Sequence, residues 1–141
     1  MIDAETYTAI QQLQRSYADI ATRMAWDEAG SVLSPDIHIT FNTSSGAVYE
    51  IEGLAAYAEF GANMTGFVFY EYLPVSFVVS PGPDGTLVGR TYSLEVAEND
   101  AGDWLEFYGQ YDDTYAKVDG EWRFTRRIYR TVKQRVTKPT G

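Results

Sequence analysis

The sequence predicts an α+β fold in which N-terminal helices pack into a strongly curved, mostly antiparallel sheet. Three observations support this prediction. Apolar residues repeat at helical spacing near the start, long alternating segments follow from residue 67, and a two-residue Asp-Gly turn joins the last two segments. The length of 141 residues, without an internal repeat or a Ser/Pro-rich linker, predicts one domain over 1–141.

The helices are predicted from apolar spacing and from end signals. The first runs from about residue 4 to residue 24, with Asp3 as a side-chain N-cap. A shorter helical segment over 26–33 stops before a proline, and a further helix over 53–64 ends at Gly66. The apolar face of the first helix predicts these buried residues: Ile10, Leu13, Tyr17, Ile20 and Met24.

The strands follow from alternating segments that are separated by turn signals. The predicted ranges are 36–42, 47–51, 67–79, 86–97, 104–118 and 121–135. Between the last four lie "PGPDG", "NDAGD" and "DG", which are typical of turns. Long antiparallel strands behind N-terminal helices indicate a sheet that wraps around the first helix and leaves one open, concave mouth.

The turn of the final hairpin determines which residues of its two strands lie opposite each other. The hairpin sequence is "YGQYDDTYAKVDGEWRFTRR" (108–127). A two-residue loop at Asp119-Gly120 places Val118 opposite Glu121. Counting away from the turn predicts four further pairs: Tyr115 with Phe124, Asp113 with Arg126, Asp112 with Arg127, and Tyr111 with Ile128. The face that carries most of the aromatic residues is predicted to be buried, with Trp122, Phe124, Ile128, Tyr111 and Tyr115.

This register places two charged side chains, Asp113 and Arg126, on a wall of aromatic residues. An isolated charge in such surroundings is costly, so we expect the two to be paired. The pair has two interpretations, a structural ion pair or a polar handle for a ligand. The sequence alone leaves both open.

Charge and composition exclude several classes of partner. The net charge of −9 argues against nucleic acid, because phosphate contacts need a basic surface. Seven of the eleven Lys and Arg residues follow residue 120, which indicates either cross-strand charge pairing or a basic docking patch. The sequence has no Cys and no apolar run long enough to span a bilayer. We therefore expect a soluble cytoplasmic protein without disulfides or thiolate metal sites.

Several segments resemble the SnoaL-like branch of the NTF2-like superfamily. They are "AIQQLQRSYADI" as first helix, "WDEAGSVLSPDI" leading into the first strand, Gly53 opening the next helix, and "GQYDDTYAKVDGEWRFTRR" closing the sheet. Scytalone dehydratase, ketosteroid isomerase and polyketide cyclases are relatives. The resemblance implies a cone with a deep apolar pocket and elimination or isomerisation of a small hydrophobic molecule without a cofactor. It also implies a homodimer or higher homo-oligomer.

The resemblance carries over unevenly to individual residues. Tyr17 matches the tyrosine that donates a hydrogen bond to a substrate oxygen in the isomerase and the dehydratases. Thr22 stands where dehydratase-type relatives have the Asp that orients a histidine base, and Tyr70 stands where that histidine lies. Phe41 occupies the position of the isomerase's Asp base. His38, the only histidine, alternates out of phase with Ile37 and Ile39, so we expect it on the outer face of the sheet.

Two hypotheses for function follow. In the first, the protein is a lyase or isomerase for a steroid, polyketide or aromatic metabolite, with Tyr17 and Tyr70 polarising or protonating oxygen and Asp113 as the candidate base. In the second, it is a binding or interaction domain that keeps the pocket without the chemistry. Neither hypothesis needs a metal or a cofactor. The predicted substrate-binding residues, which could equally fill a core, are Phe41, Tyr57, Phe60, Tyr72, Tyr92, Phe107, Tyr111 and Arg126.

Overall fold

A computed structural model describes residues 1–140, and these contain two α-helices and six strands. The helices are α1 (Ala4–Thr22) and α2 (Leu54–Ala62), with short 3₁₀ helices at Trp26–Ser31 and Pro83–Gly85. The strands are β1 (Leu33–Asn42), β2 (Val48–Glu52), β3 (Phe67–Pro81), β4 (Leu87–Asn99), β5 (Trp104–Val118) and β6 (Glu121–Thr137). Neither α-helix of this part of the chain has the length and apolar character needed to cross a membrane.

The six strands form one curved, unclosed sheet in the order β2-β1-β6-β5-β4-β3. Only the β1–β6 pair is parallel within the described residues, and every other neighbouring pair is antiparallel. Helix α1 packs against β3 and β6. The α+β class and the mostly antiparallel, curved sheet predicted from the sequence are confirmed.

Helix α1 begins and ends as local chemistry dictates. Asp3 caps its start by accepting a hydrogen bond from the Thr6 backbone N–H at 2.7 Å. At its end the Ala25 N–H bonds to the Ile20 carbonyl and the Met24 N–H to Ala21, with Met24 at a φ of 53°. These bonds form a Schellman motif, which turns the chain out of the helix. Met24 is therefore only half-buried, and its predicted place in the core is wrong.

The final hairpin follows the predicted register only near its turn. Asp119 and Gly120 have φ angles of 51° and 83°, as a type I′ turn requires. Tyr115 lies opposite Phe124, but beyond this pair the register shifts by one residue, so that Asp113 lies opposite Arg127.

The shift is a β-bulge, in which Thr125 has no counterpart on β5. The predicted pairing of Asp113 with Arg126 is therefore wrong. The pairings predicted for Asp112 and Tyr111 are wrong for the same reason, because these two residues lie opposite Ile128 and Tyr129.

The bulge also changes which residues of β6 face the core. Phe124 and Arg127 both point inward although they are three residues apart, and Tyr129 follows on the same face. Ile128 falls on the opposite face and is only half-buried, so its predicted core position is wrong. Trp122 is half-buried as well, and it packs against the edge of the core with the Lys117 ammonium over its ring.

We expect Phe124→Ala to lower the free energy of unfolding by about 3–5 kcal/mol, because the ring is completely buried and its loss leaves a cavity. Urea denaturation followed by far-UV circular dichroism measures the change. Val132→Ala on the same strand is the control: its side chain is 57% exposed and its truncation should change stability by about 0.5 kcal/mol or less. Equal losses for the two variants would contradict the packing described here.

Candidate functional site

A cavity of about 210 Å³ lies between the two helices and the concave face of the sheet. Its walls are mainly aromatic. Eight residues predicted from the sequence to act in a pocket line it: Tyr17, Phe41, Tyr57, Phe60, Tyr70, Tyr72, Phe107 and Tyr111. Trp26, Phe67 and Tyr129 add further rings, and Thr43, Ser44 and Thr131 add hydroxyl groups.

Three predicted site residues lie elsewhere. Tyr92 is 41% exposed on β4, and it alternates with Thr91 and Ser93, which are both buried. Arg126 is exposed on the outer face, where its guanidinium lies 3.3 Å from His38 Nδ1. Asp113 is buried but does not line the cavity.

Two tyrosine hydroxyl groups meet in the cavity wall. The Tyr57 hydroxyl donates to the Tyr17 hydroxyl oxygen at 3.2 Å, and both side chains are buried. Burial raises the pKa of Tyr57 well above its ordinary value, so this donor keeps its proton. The Tyr17 hydroxyl accepts this bond and has no acceptor of its own among residues 1–140, so its proton is available to a ligand oxygen.

Glu95 is a cavity residue that the sequence analysis missed. It is the one carboxylate among the lining residues of the described chain, and its Oε2 accepts a hydrogen bond from the Tyr70 hydroxyl at 2.7 Å. Burial raises the pKa of Glu95, although Tyr70 and the more distant Arg127 lower it in part. Strand alternation could have found it, because Glu95 shares the inner face of β4 with Thr91 and Ser93.

Asp113 and Arg127 form a completely buried ion pair behind the cavity wall. Arg127 Nε donates to Asp113 Oδ1 at 2.7 Å and Nη2 donates to Oδ2 at 3.2 Å. The Thr91 hydroxyl donates to the same carboxylate at 2.6 Å, and Gln14 in turn donates to Thr91. Burial acts to lower the pKa of Arg127, but Asp113 and the neighbouring tyrosines Tyr72, Tyr17 and Tyr111 together raise it by more, so the guanidinium stays charged.

The Arg127 guanidinium is also enclosed by aromatic rings. It lies 4.4 Å from the ring centre of Tyr17, 3.8 Å from that of Tyr111 and 4.1 Å from that of Phe124. Such cation–π contacts add to the ion pair. Arg127 and Thr91 together engage both oxygens of Asp113, which lies outside the cavity lining.

Thr22 and His38, which the resemblance led us to compare with the relatives' histidine–aspartate base, make other contacts. Thr22 Oγ1 accepts a hydrogen bond from the Tyr72 backbone N–H at 3.0 Å, which ties α1 to β3. His38 lies on the outer face, as expected, with Nε2 2.6 Å from Glu50 Oε2. Within residues 1–140 no group of three or more His, Cys, Asp and Glu side chains is placed to hold a metal ion.

Two glycines leave space for rings of the cavity wall. A Cβ atom at Gly109 would lie 2.3 Å from Tyr129 Cε1, and one at Gly61 would lie 2.4 Å from the indole of Trp26. Both distances are far below van der Waals contact, so only glycine permits the observed ring positions. The shape of the cavity thus depends on these two backbone positions as well as on the rings.

The sequence model of a SnoaL-like domain matches residues 3–128 of this chain. This range includes both helices, the first five strands and the Asp113–Arg127 pair. No curated protein sequence matches the chain.

Solved structures of similar fold cover nearly the whole chain. A candidate scytalone dehydratase from Novosphingobium aromaticivorans has a TM-score of 0.79 at 22% identity, covering 96% of this chain and 93% of its own. A candidate aromatic ring hydroxylase from the same organism has a TM-score of 0.81 at 20% identity, covering 99% and 96%. Hexachlorocyclohexane dehydrochlorinase LinA-type3 from Novosphingobium barchaimii has a TM-score of 0.80 at 15% identity, covering 97% and 92%. The chain shares their fold.

We expect Arg127→Met to lower the free energy of unfolding by about 3–5 kcal/mol, because it leaves the Asp113 charge buried without its partner. The double variant Asp113→Leu with Arg127→Met removes both charges and should recover most of this loss. Chemical denaturation of both variants measures the coupling. Arg126→Met on the outer face is the matched control, with an expected change of about 0.5 kcal/mol or less. A large loss for Arg126→Met with none for Arg127→Met would contradict the bulged register.

We expect Glu95→Gln to gain stability relative to the wild type as the pH rises. The folded-state pKa of Glu95 is raised, so the protonated side chain contributes to stability below the ordinary value of 4.5. This contribution is lost as the pH rises through the folded pKa. Each pKa unit between the folded and unfolded states corresponds to about 1.4 kcal/mol. Thermal unfolding between pH 4 and pH 8 measures the difference.

Glu50→Gln is the control of opposite sign. His38 and Thr40 hold the pKa of Glu50 below its ordinary value, so the wild-type carboxylate contributes stability above that value and loses it in acid. A Glu95→Gln variant whose advantage does not grow with pH would show that burial does not perturb Glu95.

Proposed function

Because this chain belongs to the SnoaL-like family, we propose that it is a cofactor-independent lyase or isomerase acting on a small hydrophobic oxygenated molecule. A steroid, a polyketide or an aromatic metabolite is a substrate of this class. The apolar, aromatic cavity supports the proposal, since such walls bind hydrophobic molecules and exclude water. The observation that carries it is the Tyr57–Tyr17 hydrogen bond, which leaves the Tyr17 proton for a substrate oxygen.

Tyr17 has the chemical role of a hydrogen-bond donor to the reacting oxygen. As negative charge develops on that oxygen, a donor that is already aimed at it lowers the barrier without reorganisation. Tyr57 strengthens this donor by bonding to its oxygen. The fold shared with a candidate scytalone dehydratase and a dehydrochlorinase, both named for elimination reactions, supports the lyase class.

The other two residues first considered for catalysis have different positions. The Tyr70 hydroxyl donates to Glu95, so in this arrangement it acts on the substrate through that carboxylate. Asp113 is bound on both oxygens and lies outside the cavity, so we assign it no contact with substrate.

The second candidate function is a small-molecule-binding domain without catalysis. The contacts of Thr22 favour it, because Thr22 bonds to the backbone of Tyr72 where dehydratase-type relatives orient a base. Under this alternative the cavity holds a ligand and Tyr17 contributes to affinity alone. Turnover of any ligand that the protein binds decides between the two functions.

Two further parts of the proposal concern the whole molecule. We propose a homodimer or higher homo-oligomer, supported by large apolar side chains that are exposed on neighbouring strands, among them Val78, Tyr92 and Tyr108. Light scattering after gel filtration measures the mass in solution.

The absence of Cys from the sequence supports a cytoplasmic location.

We expect Tyr17→Phe to lower kcat about a hundredfold or more, equivalent to about 3 kcal/mol of transition-state stabilisation, with folding preserved. A thermal-shift screen of apolar ketones, alcohols and phenols supplies ligands, and turnover of those that bind is then assayed. Tyr7→Phe is the matched control, because it removes the same hydroxyl from an exposed position on the same helix. A Tyr17→Phe variant that keeps the full kcat would show that the Tyr17 hydroxyl has no catalytic role. Ligands that bind to the wild type without turnover would support the binding-domain function.

A further inference from the structure

The charges around the cavity restrict what it can bind. Glu95 is its single carboxylate, and none of the lining residues within the described chain is Lys, Arg or His. The nearest buried cation, Arg127, lies behind the rings of Tyr17 and Tyr111 and is neutralised by Asp113. A carboxylate or phosphate ligand would therefore meet one negative charge and no free positive charge, which makes burial costly. The cavity suits an uncharged molecule.

The position of Glu95 suits proton transfer. It lies on β4, an inner strand of the sheet, opposite Tyr72 on β3 and Phe107 on β5. Its Oε2 is held by Tyr70, whereas Oε1 has no hydrogen-bond partner among residues 1–140. A carboxylate fixed through one oxygen presents the other as a proton acceptor in a defined direction.

The surroundings of Glu95 make it a stronger base than an exposed glutamate. Burial raises its pKa, and this outweighs the effects of Tyr70 and Arg127. General bases work best when their pKa lies near the working pH, and burial moves a carboxyl group in that direction. The titratable and charged groups that act on it from the packed strands are Tyr70, Tyr72, Tyr111, Arg127 and Tyr129.

The cavity volume limits the part of the substrate that is enclosed. An engineered cavity of about 150 Å³ accommodates benzene. The cavity in this protein, about 210 Å³, is less than one and a half times as large as that benzene-binding cavity. It therefore encloses one ring with substituents or two fused rings. A larger substrate would have to extend out of the cavity.

We propose that Glu95 is the general base of this site and that its substrate is an uncharged carbonyl compound of one or two rings with a hydrogen on the adjacent carbon. This inference rests on the proposed enzymatic function and adds the base and the substrate class to it. The substrate carbonyl accepts the Tyr17 hydrogen bond, and Glu95 Oε1 takes the proton from the neighbouring carbon. No metal, oxidant or co-reactant enters this step.

The proposed isomerisation has two steps, formation of an enolate and its reprotonation. As the C–H bond breaks, its electron pair forms a carbon–carbon double bond and the carbonyl π pair moves to oxygen, giving an enolate held by Tyr17. In an isomerisation, Glu95 returns the proton to a more distant carbon of a conjugated enolate and the carbonyl reforms. The enzyme ends in its starting protonation state.

The test uses 2-tetralone, an uncharged bicyclic ketone, and measures exchange of its hydrogens for deuterium in D₂O by NMR. The wild type should accelerate exchange above the buffer rate, and Glu95→Gln should lower the enzyme-catalysed rate about 10²- to 10⁴-fold. Gln keeps an oxygen that accepts the Tyr70 hydrogen bond, so folding should survive. Glu98→Gln, which removes a carboxylate from the same strand outside the cavity lining, should retain the wild-type rate.

A binding comparison tests the charge argument without activity. By thermal shift, 2-naphthol should stabilise the wild type and 2-naphthoate should not, whereas Glu95→Gln should gain binding of 2-naphthoate. Equal binding of the two ligands by the wild type would overturn the assignment of an uncharged substrate.

The exchange assay separates failure of this inference from failure of the proposed function. Exchange that is lost in Tyr17→Phe but kept in Glu95→Gln would show that Glu95 is not the general base, whereas the proposed enzymatic function would be retained. A wild type that turns over another ligand without exchanging 2-tetralone overturns the substrate class alone. A wild type that binds 2-tetralone and neither exchanges nor converts any ligand overturns both proposals.

Discussion

The buried ion pair between Asp113 and Arg127 is the interaction on which the rest of this molecule depends. A guanidinium with no solvent exposure is tolerable only with a bonded counter-charge, and Asp113 supplies two of its hydrogen bonds. The pair joins β5 to β6, and the bonds through Thr91 and Gln14 extend it to β4 and α1. Four elements are thereby fixed around one polar group, and the cavity wall is built on them.

The geometry of the cavity depends on the Asp113–Arg127 pair. Arg127 packs against Tyr17 and Tyr111, so the position of the Tyr17 hydroxyl is set partly by a charge that never touches the cavity. The two inner carboxylates consequently have opposite characters. Asp113 is saturated with donors, whereas Glu95 has one donor and an apolar environment. Their surroundings, and not their chemistry in isolation, separate a structural acid from a candidate catalytic one.

Membership of the SnoaL-like family accounts for the architecture, but the site of this chain has its own chemistry. The fold supports unrelated activities, and neighbours named as a dehydratase, a hydroxylase and a dehydrochlorinase illustrate this. Tyr17 lines the cavity, and Tyr70, for which the resemblance implied a histidine position, bonds to a carboxylate on the next strand. A tyrosine–glutamate pair differs from a histidine–aspartate pair in its resting charge and in the pH range over which it accepts a proton.

The sequence by itself determined the α+β class, the helix and strand boundaries to within a few residues, and the two-residue Asp-Gly turn, because these depend on local spacing and backbone preference. Strand alternation also placed Phe41 inside and His38 outside. Only the tertiary structure decided that Arg127 and not Arg126 pairs with Asp113. Thr125 has no counterpart on β5, and this shifts the register of β6 by one residue over 126–131. The bulge is favoured by contacts between distant strands and helices, which counting from the turn cannot reveal, and the environment of Glu95 arises from the same contacts.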